Sequence, residues 1–227
     1  MASGPLDSSS VPDDGTRLDL GCLRIAIVDG LEVRVDLDSV SHNAQAVSLF
    51  LGHSIISLQV FAAPRHEDLW PDIRDGIVHQ LSLQGVESDV VMGRFGTEIH
   101  TVMPSIDYDG SSVVQTVRFL GVDGPRWFMR AVVTGDGSIQ GQKYDDVDDV
   151  ISNLVVHRGE SPMGPGEHLP IIMPDAKLPE EAIDSFTIES SSGDVDEGAE
   201  LVSHSTESML REPDAMNESK VRGRRKK

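Results

Sequence analysis

Short segments in which apolar and polar residues alternate fill most of positions 17–134, and they constrain the fold more than any other feature. Side chains of a β-strand point alternately to the two faces of a sheet, so each such segment predicts a strand with one buried face. Turn-forming dipeptides join several of them, notably Asp29-Gly30, and Asp123-Gly124 followed by Pro125. The pattern predicts a meander of antiparallel strands at residues 18–28, 31–37, 46–51, 54–62, 87–92, 96–103, 113–122 and 126–134.

Two segments show helical periodicity instead. In residues 67–84 apolar side chains recur at every fourth position, and Gly85 supplies the expected C-terminal stop. Residues 145–155 predict a second helix, whose first turns hold aspartates that oppose the positive end of the helix dipole. The predicted fold class is therefore α+β: an antiparallel meandering sheet packed by one long helix and by a second shorter C-terminal helix.

Composition divides the chain into three parts. Residues 1–16 are small and polar, which is typical of a flexible arm. Residues 17–174 form the single α+β domain, and its last stretch, the C-terminal strap 161–174, is rich in Pro and Gly and is expected to pack back on it. Residues 175–227 have few large apolar side chains, so burial cannot offset the entropy of ordering them. We expect a disordered acidic tail that ends in a basic cluster, from Lys220 to Lys227.

The formal net charge of −19 restricts the partners of the domain. Binding to nucleic acid or to an anionic surface requires clustered Lys and Arg, which only the basic cluster provides, so such a contact is an alternative for the tail alone. No stretch is apolar and long enough to span a membrane and no secretory signal begins the chain, which favours a cytoplasmic protein. Cys22 is the single cysteine, so an intramolecular disulfide is excluded.

Sequence signatures of catalysis and of cofactor or metal binding are missing. The glycine-rich stretch 135–143 lacks the Lys-Ser or Lys-Thr pair of a phosphate-binding loop, and the eight histidines do not show the short spacing of a zinc site. We therefore expect no catalytic residue, no cofactor and no metal ion. An enzyme acting on an anionic metabolite is an alternative, with arginines holding the anion and His79 or His100 serving as acid or base.

Both tryptophans and several arginines concentrate in residues 62–74 and 118–130. Arginine makes planar, bidentate contacts with carboxylate and phosphate groups and stacks on aromatic rings. One interpretation is a core between helix and sheet, with the arginines paired to nearby carboxylates. The other is an arginine-lined pocket for an anion or a peptide. It predicts an Arg/Trp face whose ligand- or partner-binding residues are Arg65, Trp70, Arg118, Arg126, Trp127 and Arg130.

Several longer strings carry a family resemblance: LDLGCL at 18–23, QVFAAPR at 59–65, LWPDIR at 69–74, GRFGTE at 93–98 and VRFLGVDGPRWFMR at 117–130. Through them, about residues 5–173 resemble the actinobacterial proteins grouped as domain of unknown function 3710. The resemblance implies a cytoplasmic actinobacterial protein and no established activity. The order of predicted elements is also loosely similar to Mog1/PsbP-like folds, which are typically binding or assembly modules.

Taken with the missing catalytic signatures, the Arg/Trp face favours a non-enzymatic binding module with a regulatory or assembly role. It would recognise an unknown protein partner or a small anionic ligand. The enzyme and the tail-mediated contact with nucleic acid or an anionic surface are the alternatives.

Overall fold

The computed structural model describes residues 4–37, 44–106, 110–173 and 186–190, and it confirms the predicted α+β fold. Two helices, α1 (Trp70–Leu83) and α2 (Gln142–Ser152), pack on sheets that are mostly antiparallel. The strands are β1 (Leu6–Asp7), β2 (Arg17–Asp19), β3 (Leu23–Ala26), β4 (Leu31–Leu37), β5 (Ala44–Leu51), β6 (Ser54–Ala62), β7 (Ser88–Gly93), β8 (Gly96–Ile106), β9 (Ser112–Gly124), β10 (Trp127–Gly135), β11 (Val155–Val156) and β12 (Phe186–Ser190).

The larger sheet has eight strands in the spatial order β12-β4-β5-β6-β10-β9-β8-β7. All neighbours are antiparallel except β12, which pairs in parallel with β4. The predicted reversal after Asp123 is confirmed, because Gly124 of β9 lies opposite Trp127 of β10. The hairpin predicted at Asp29-Gly30 is wrong, since the flanking strands β3 and β4 belong to different sheets.

The smaller sheet, in the order β1-β11-β3-β2, corrects two predictions. The strand predicted over residues 18–28 is broken between β2 and β3, where Gly21 has a φ of 78° and the chain reverses. The flexible arm predicted over residues 1–16 packs on the domain in its described part: Pro5 is buried, and β1 pairs in parallel with β11. The Asp7 carboxylate also accepts a hydrogen bond of 2.7 Å from the Trp127 indole, a contact that no local pattern reveals.

Helix α1 covers one face of the larger sheet, and α2 together with the smaller sheet covers the other. Strand β10 shows the division, because Trp127, Met129, Ala131 and Val133 lie in the cluster with α2, whereas Phe128 lies in the cluster with α1. We call these two sides the α2 face and the α1 face. The alternation expected for this strand is thus confirmed, and each face holds its own apolar core.

Both helices begin at other residues than predicted. Helix α1 begins at Trp70 rather than at residue 67, and its cap comes from a distant strand. The Asp123 carboxylate, at the end of β9, accepts hydrogen bonds from the backbone N–H of Leu69 (2.7 Å) and of Trp70 (3.1 Å). Helix α2 begins at Gln142 and ends at Ser152, before residues 155 and 156 enter β11.

Residues 161–173, the described part of the strap, run beside the end of β6. Strand β5 pairs with β6 only as far as Leu58, and the strap takes its place beyond that point. The backbone N–H of Ala62 donates to the Glu167 carbonyl, and the N–H of Leu169 donates to the Val60 carbonyl, both at 2.8 Å. Leu169 is buried in the core of the α2 face.

Within residues 175–227, which the sequence assigns to the tail, the structure describes strand β12 at the β4 edge of the larger sheet. The rest of the predicted tail, with the basic cluster, lies outside the described residues, so its predicted disorder stays a prediction. Among the helices that the structure describes, none is long and apolar enough to cross a membrane.

Candidate functional site

The six residues of the Arg/Trp face are distributed over three places. Arg118 and Trp127 lie on the α2 face of the larger sheet. Trp70 and Arg130 lie on the α1 face. Arg130 is two residues after Phe128 in β10, so both side chains point to the same side of the sheet. Arg65 and Arg126 lie in exposed connections at one end of the sheet. The fold therefore does not bring the six side chains to one surface.

Both tryptophans are core residues. The Trp70 ring stacks 6.3 Å from the Phe128 ring and its indole N–H donates to the Thr97 carbonyl. It also lies directly over Gly121 of β9, where an added Cβ would be 2.2 Å from two ring carbons. Trp127 is fully enclosed on the other face. Helix, sheet and glycine therefore pack around the two indoles, as the core interpretation of these residues expects.

Arg130 is also buried, and one of its Nη atoms donates a hydrogen bond to the side-chain oxygen of Gln59 on the neighbouring strand β6. The two residues are register partners, so this contact ties β10 to β6 across the α1 face. A guanidinium held in this way has a structural role.

Arg118 is the centre of a buried charged cluster that joins the sheet to α2. Its side chain is 0 % exposed, and its Nε and Nη2 donate to Glu98 Oε2 at 3.0 and 2.8 Å. Nη2 also lies 2.8 Å from Asp148 Oδ1 on α2. Because two carboxylates face one guanidinium, the cluster carries a net negative charge inside the protein when all three groups are ionised.

Two further side chains complete the buried charged cluster. The Tyr144 hydroxyl donates to Glu98 Oε1, and the Tyr144 ring lies 3.6 Å below the Arg118 guanidinium carbon in a cation–π contact. His100 Nε2 lies 2.9 Å from the same Glu98 oxygen, and its side chain is 21 % exposed. His100 and Tyr144 are thus the partly exposed members through which the cluster reaches the surface.

Burial and charge shift the titration of two members in the same direction. Desolvation raises the pKa of Asp148 above its ordinary value of 3.8, and nearby Glu98 adds to this, while Arg118 opposes it. Burial and the hydrogen bond to Glu98 raise the pKa of Tyr144 above its usual range. Tyr144 therefore stays protonated and continues to donate to Glu98 at neutral pH.

A pH-dependence follows from the raised pKa of Asp148. The folded state holds this proton more tightly than the unfolded state, so the stability it contributes is fully present below pH 3.8 and is lost as pH rises through the folded pKa. We expect Asp148→Asn to remove this dependence. In urea titrations, the stability of the variant relative to the wild type should fall as pH is lowered from 7 toward 4. A constant difference would contradict the assignment, whatever its size.

Glu98, Tyr144 and Asp148 were not predicted from the sequence as partners of Arg118. A signal for Asp148 was present: it lies one turn from both Tyr144 and Ile151, on the side of α2 that carries buried apolar residues. An aspartate at such a position requires a buried partner. Two other aspartates of this run pair separately, Asp146 with Lys143 and Asp149 with Arg94.

Arg65 and Arg126 are the two predicted residues that stay accessible. Both are exposed, and neither has an ion pair within the part of the chain that the structure describes. Their connections touch, since the Ala63 N–H donates to the Arg126 carbonyl at 2.9 Å. His79 of the enzyme alternative is exposed on α1. No group of three His, Cys, Asp or Glu side chains in the described ranges is placed to hold a metal ion.

Arg126 has a backbone conformation that arginine rarely adopts. Its φ is +64°, and among described non-glycine residues it is the one with a positive φ. The turn between β9 and β10 consists of Pro125 and Arg126. Its second position favours glycine or asparagine, because the left-handed conformation crowds a Cβ. The turn therefore keeps a long cationic side chain where glycine fits better.

These features define the class of protein: a mostly antiparallel α+β domain whose buried charges join helix to sheet and whose sheet end presents two exposed arginines. Residues 4–180 match the family model described as "Protein of unknown function (DUF3710)", and the chain belongs to this family. The family resemblance seen in the sequence is thereby confirmed. The actinobacterial origin and the likeness to Mog1/PsbP-like folds stay predictions.

A search of curated proteins finds no match to this sequence. Among solved structures, a crystal structure of a protein from Bacteroides thetaiotaomicron VPI-5482 is similar at 9% sequence identity and a TM-score of 0.37. The match covers 60% of this chain and 45% of that one, so it spans less than half the length of the compared protein.

Proposed function

We propose that the domain is a binding module that docks an anionic group, carried by a partner protein or a small ligand, between Arg65 and Arg126. The carrying observation is that these two arginines are exposed and have no ion pair among the described residues. The chain has 38 acidic and 19 basic side chains, so exposed arginines without an ion pair among the described residues stand out against this acidic background. Two guanidinium groups on touching connections suit a carboxylate or phosphate.

The conformation of Arg126 supports the same proposal. A left-handed arginine costs about 1 kcal/mol relative to glycine, which adopts this conformation readily. Strain of this kind concentrates at binding sites, where the side chain rather than the backbone is needed. Arg118 and Arg130 are already occupied by Glu98 and Gln59, so they contribute rigidity and not ligand contacts.

Capture of partners from a lysate of the source organism, quantified by mass spectrometry, tests the proposal. We expect Arg65→Ala combined with Arg126→Ala to reduce capture of a specific partner by about tenfold or more, because charge-assisted hydrogen bonds are lost. The matched control replaces Arg17 and Arg34, which form ion pairs in β2 and β4, and so changes the net charge equally.

A third variant, Arg126→Gly, separates binding from folding. Relief of the left-handed strain should raise the free energy of unfolding by about 1 kcal/mol, while loss of the cation should reduce capture. A partner list that both arginine variants leave unchanged would refute the binding role. A contact of the basic cluster with nucleic acid rests on residues outside the described ranges and stays a prediction.

An enzyme is the second candidate, and one contact favours it. His100 is partly exposed and its Nε2 lies 2.9 Å from Glu98, which Arg118 and Tyr144 hold in place. A histidine oriented by a fixed carboxylate is a common acid–base arrangement. A screen of phosphorylated and carboxylated metabolites should then show turnover that His100→Ala abolishes. Folded wild-type protein that stays inactive across the screen would leave the binding module as the better proposal.

A further inference from the structure

The two edges of the larger sheet differ. At one edge β12 pairs with β4, so a segment of the chain itself covers that strand. At the other edge β7 is the outermost strand, and among the described residues it pairs with β8 alone. An edge strand presents a row of backbone N–H and C=O groups that can pair with another strand.

Strand β7 lacks the features that usually prevent such pairing. It contains neither Pro nor Lys, and its register with β8 is unbroken from Ser88 opposite Thr101 to Gly93 opposite Gly96. Its one charged residue is Asp89. Natural edge strands are commonly protected by prolines, lysines or bulges, so an unprotected edge indicates a docking strand.

Apolar side chains on β7 are left in solvent. Val90 is 48 % exposed and Met92 is 78 % exposed, and because strand residues alternate, both lie on the same face. Val90 is the register partner of Ile99, which belongs to the core of the α1 face. Leu83, in the last turn of α1 before β7, is also largely exposed. The α1 face therefore has an apolar border that ends at the open edge.

We propose that β7 pairs with β7 of a second copy of this chain, antiparallel and around a two-fold axis through Val91. In this register Val90 lies opposite Met92 of the partner subunit and Met92 lies opposite the partner's Val90. Both apolar pairs fall on the α1 face, because a two-fold axis perpendicular to the sheet keeps each face on its own side. Asp89 lies opposite the partner's Gly93, so no two carboxylates face each other.

Other two-fold registers fit less well. An axis through Val90 places Met92 opposite the partner's Ser88 and Asp89 opposite the partner's Val91. An axis through Met92 leaves Val90 opposite a residue of the β7–β8 turn. The register through Val91 is the one that pairs the two exposed apolar residues with each other, and this self-complementarity is why the occupant is a second copy rather than an unrelated peptide.

Charge and area set the strength of the association. Each copy carries a formal net charge of −19, so the two repel at long range, and salt screens this repulsion. Two paired six-residue strands, together with the exposed apolar residues beside them, bury less surface area than a standard protein–protein interface. We therefore expect a weak dimer. Its population rises with protein concentration, and its dissociation constant falls as ionic strength rises.

The first test is the molar mass of the full chain, measured by sedimentation equilibrium over a range of protein and salt concentrations. We expect reversible association from 24.6 kDa toward twice that mass, favoured by salt. Met92→Glu should raise the dissociation constant by about tenfold or more, since it buries a charge against an apolar side chain. Val114→Glu is the matched control: Val114 is 76 % exposed on β9, which β8 separates from the edge.

The second test reads the register directly. In a Cys22→Ser background, Val91→Cys should form an intermolecular disulfide on mild oxidation, because the two Val91 residues meet on the axis. Val90→Cys alone and Met92→Cys alone should form little intermolecular disulfide. A mixture of the two variants should form a disulfide between Cys at position 90 of one subunit and Cys at position 92 of the other. The proposal is overturned if the chain stays at 24.6 kDa up to about 1 mM, or if association is unaffected by Met92→Glu and Val91→Cys does not link.

Discussion

Replacing Arg118 by Met is expected to destabilise the domain by about 3–5 kcal/mol. The substitution keeps a side chain of similar length but leaves the carboxylates of Glu98 and Asp148 buried without their cation. It also removes the guanidinium that stacks on Tyr144. Urea denaturation followed by circular dichroism measures the loss. A change below about 1 kcal/mol would mean that the buried charged cluster contributes little to the folded state.

The triple variant Glu98→Gln, Arg118→Met, Asp148→Asn is the control for this prediction. With both carboxylates neutralised, no uncompensated charge stays buried, so most of the lost stability should return even though the ion pairs are gone. The single variant Arg118→Met should also become more stable as pH falls, because protonation removes the charges that lost their partner. These two results together distinguish the cost of isolated buried charge from simple loss of packing.

The positions of most strands along the chain could be predicted from the sequence because the pattern that defines them is local, but their spatial order, in which β10 lies between β6 and β9, could not. Alternation from residue 126 to 134 identified β10 and both of its faces, and Asp123-Gly124-Pro125 identified the reversal before it, although the turn residues themselves are Pro125 and Arg126. The position of β1 could not be predicted. Two residues, Leu6 and Asp7, show no periodicity, and their partners lie about 150 residues away in β11.

The Arg/Trp face shows why composition alone cannot place a site. The concentration of arginine in residues 118–130 is real, but a period of two sends Arg118 and Arg130 to opposite faces once the chain reverses after Gly124. Their partners Glu98 and Gln59 come from strands that become neighbours only in the folded sheet. Exposure then distinguishes Arg65 and Arg126 from the rest, and exposure is a tertiary property.

The contact between Gly121 and Trp70 leads to the second large effect. Gly121→Ala would place a Cβ 2.2 Å from the Trp70 ring, far inside contact distance, so either the indole or strand β9 must move. Movement of the indole breaks its hydrogen bond to the Thr97 carbonyl and shifts the first turn of α1. We expect a loss of about 2–3 kcal/mol in the free energy of unfolding, as for other overpacked cores.

A double-mutant cycle makes this prediction specific. Trp70→Leu alone creates a cavity and should destabilise the domain, but in combination with Gly121→Ala the new methyl group fills part of that cavity. The two changes should therefore cost less together than the sum of their separate costs. Gly164→Ala serves as the matched control, because its added Cβ would lie 3.4 Å from a flexible Glu167 side chain, and it should change stability by less than about 0.5 kcal/mol. Strictly additive losses in the cycle would show that Gly121 is constrained by its own strand and not by the Trp70 ring.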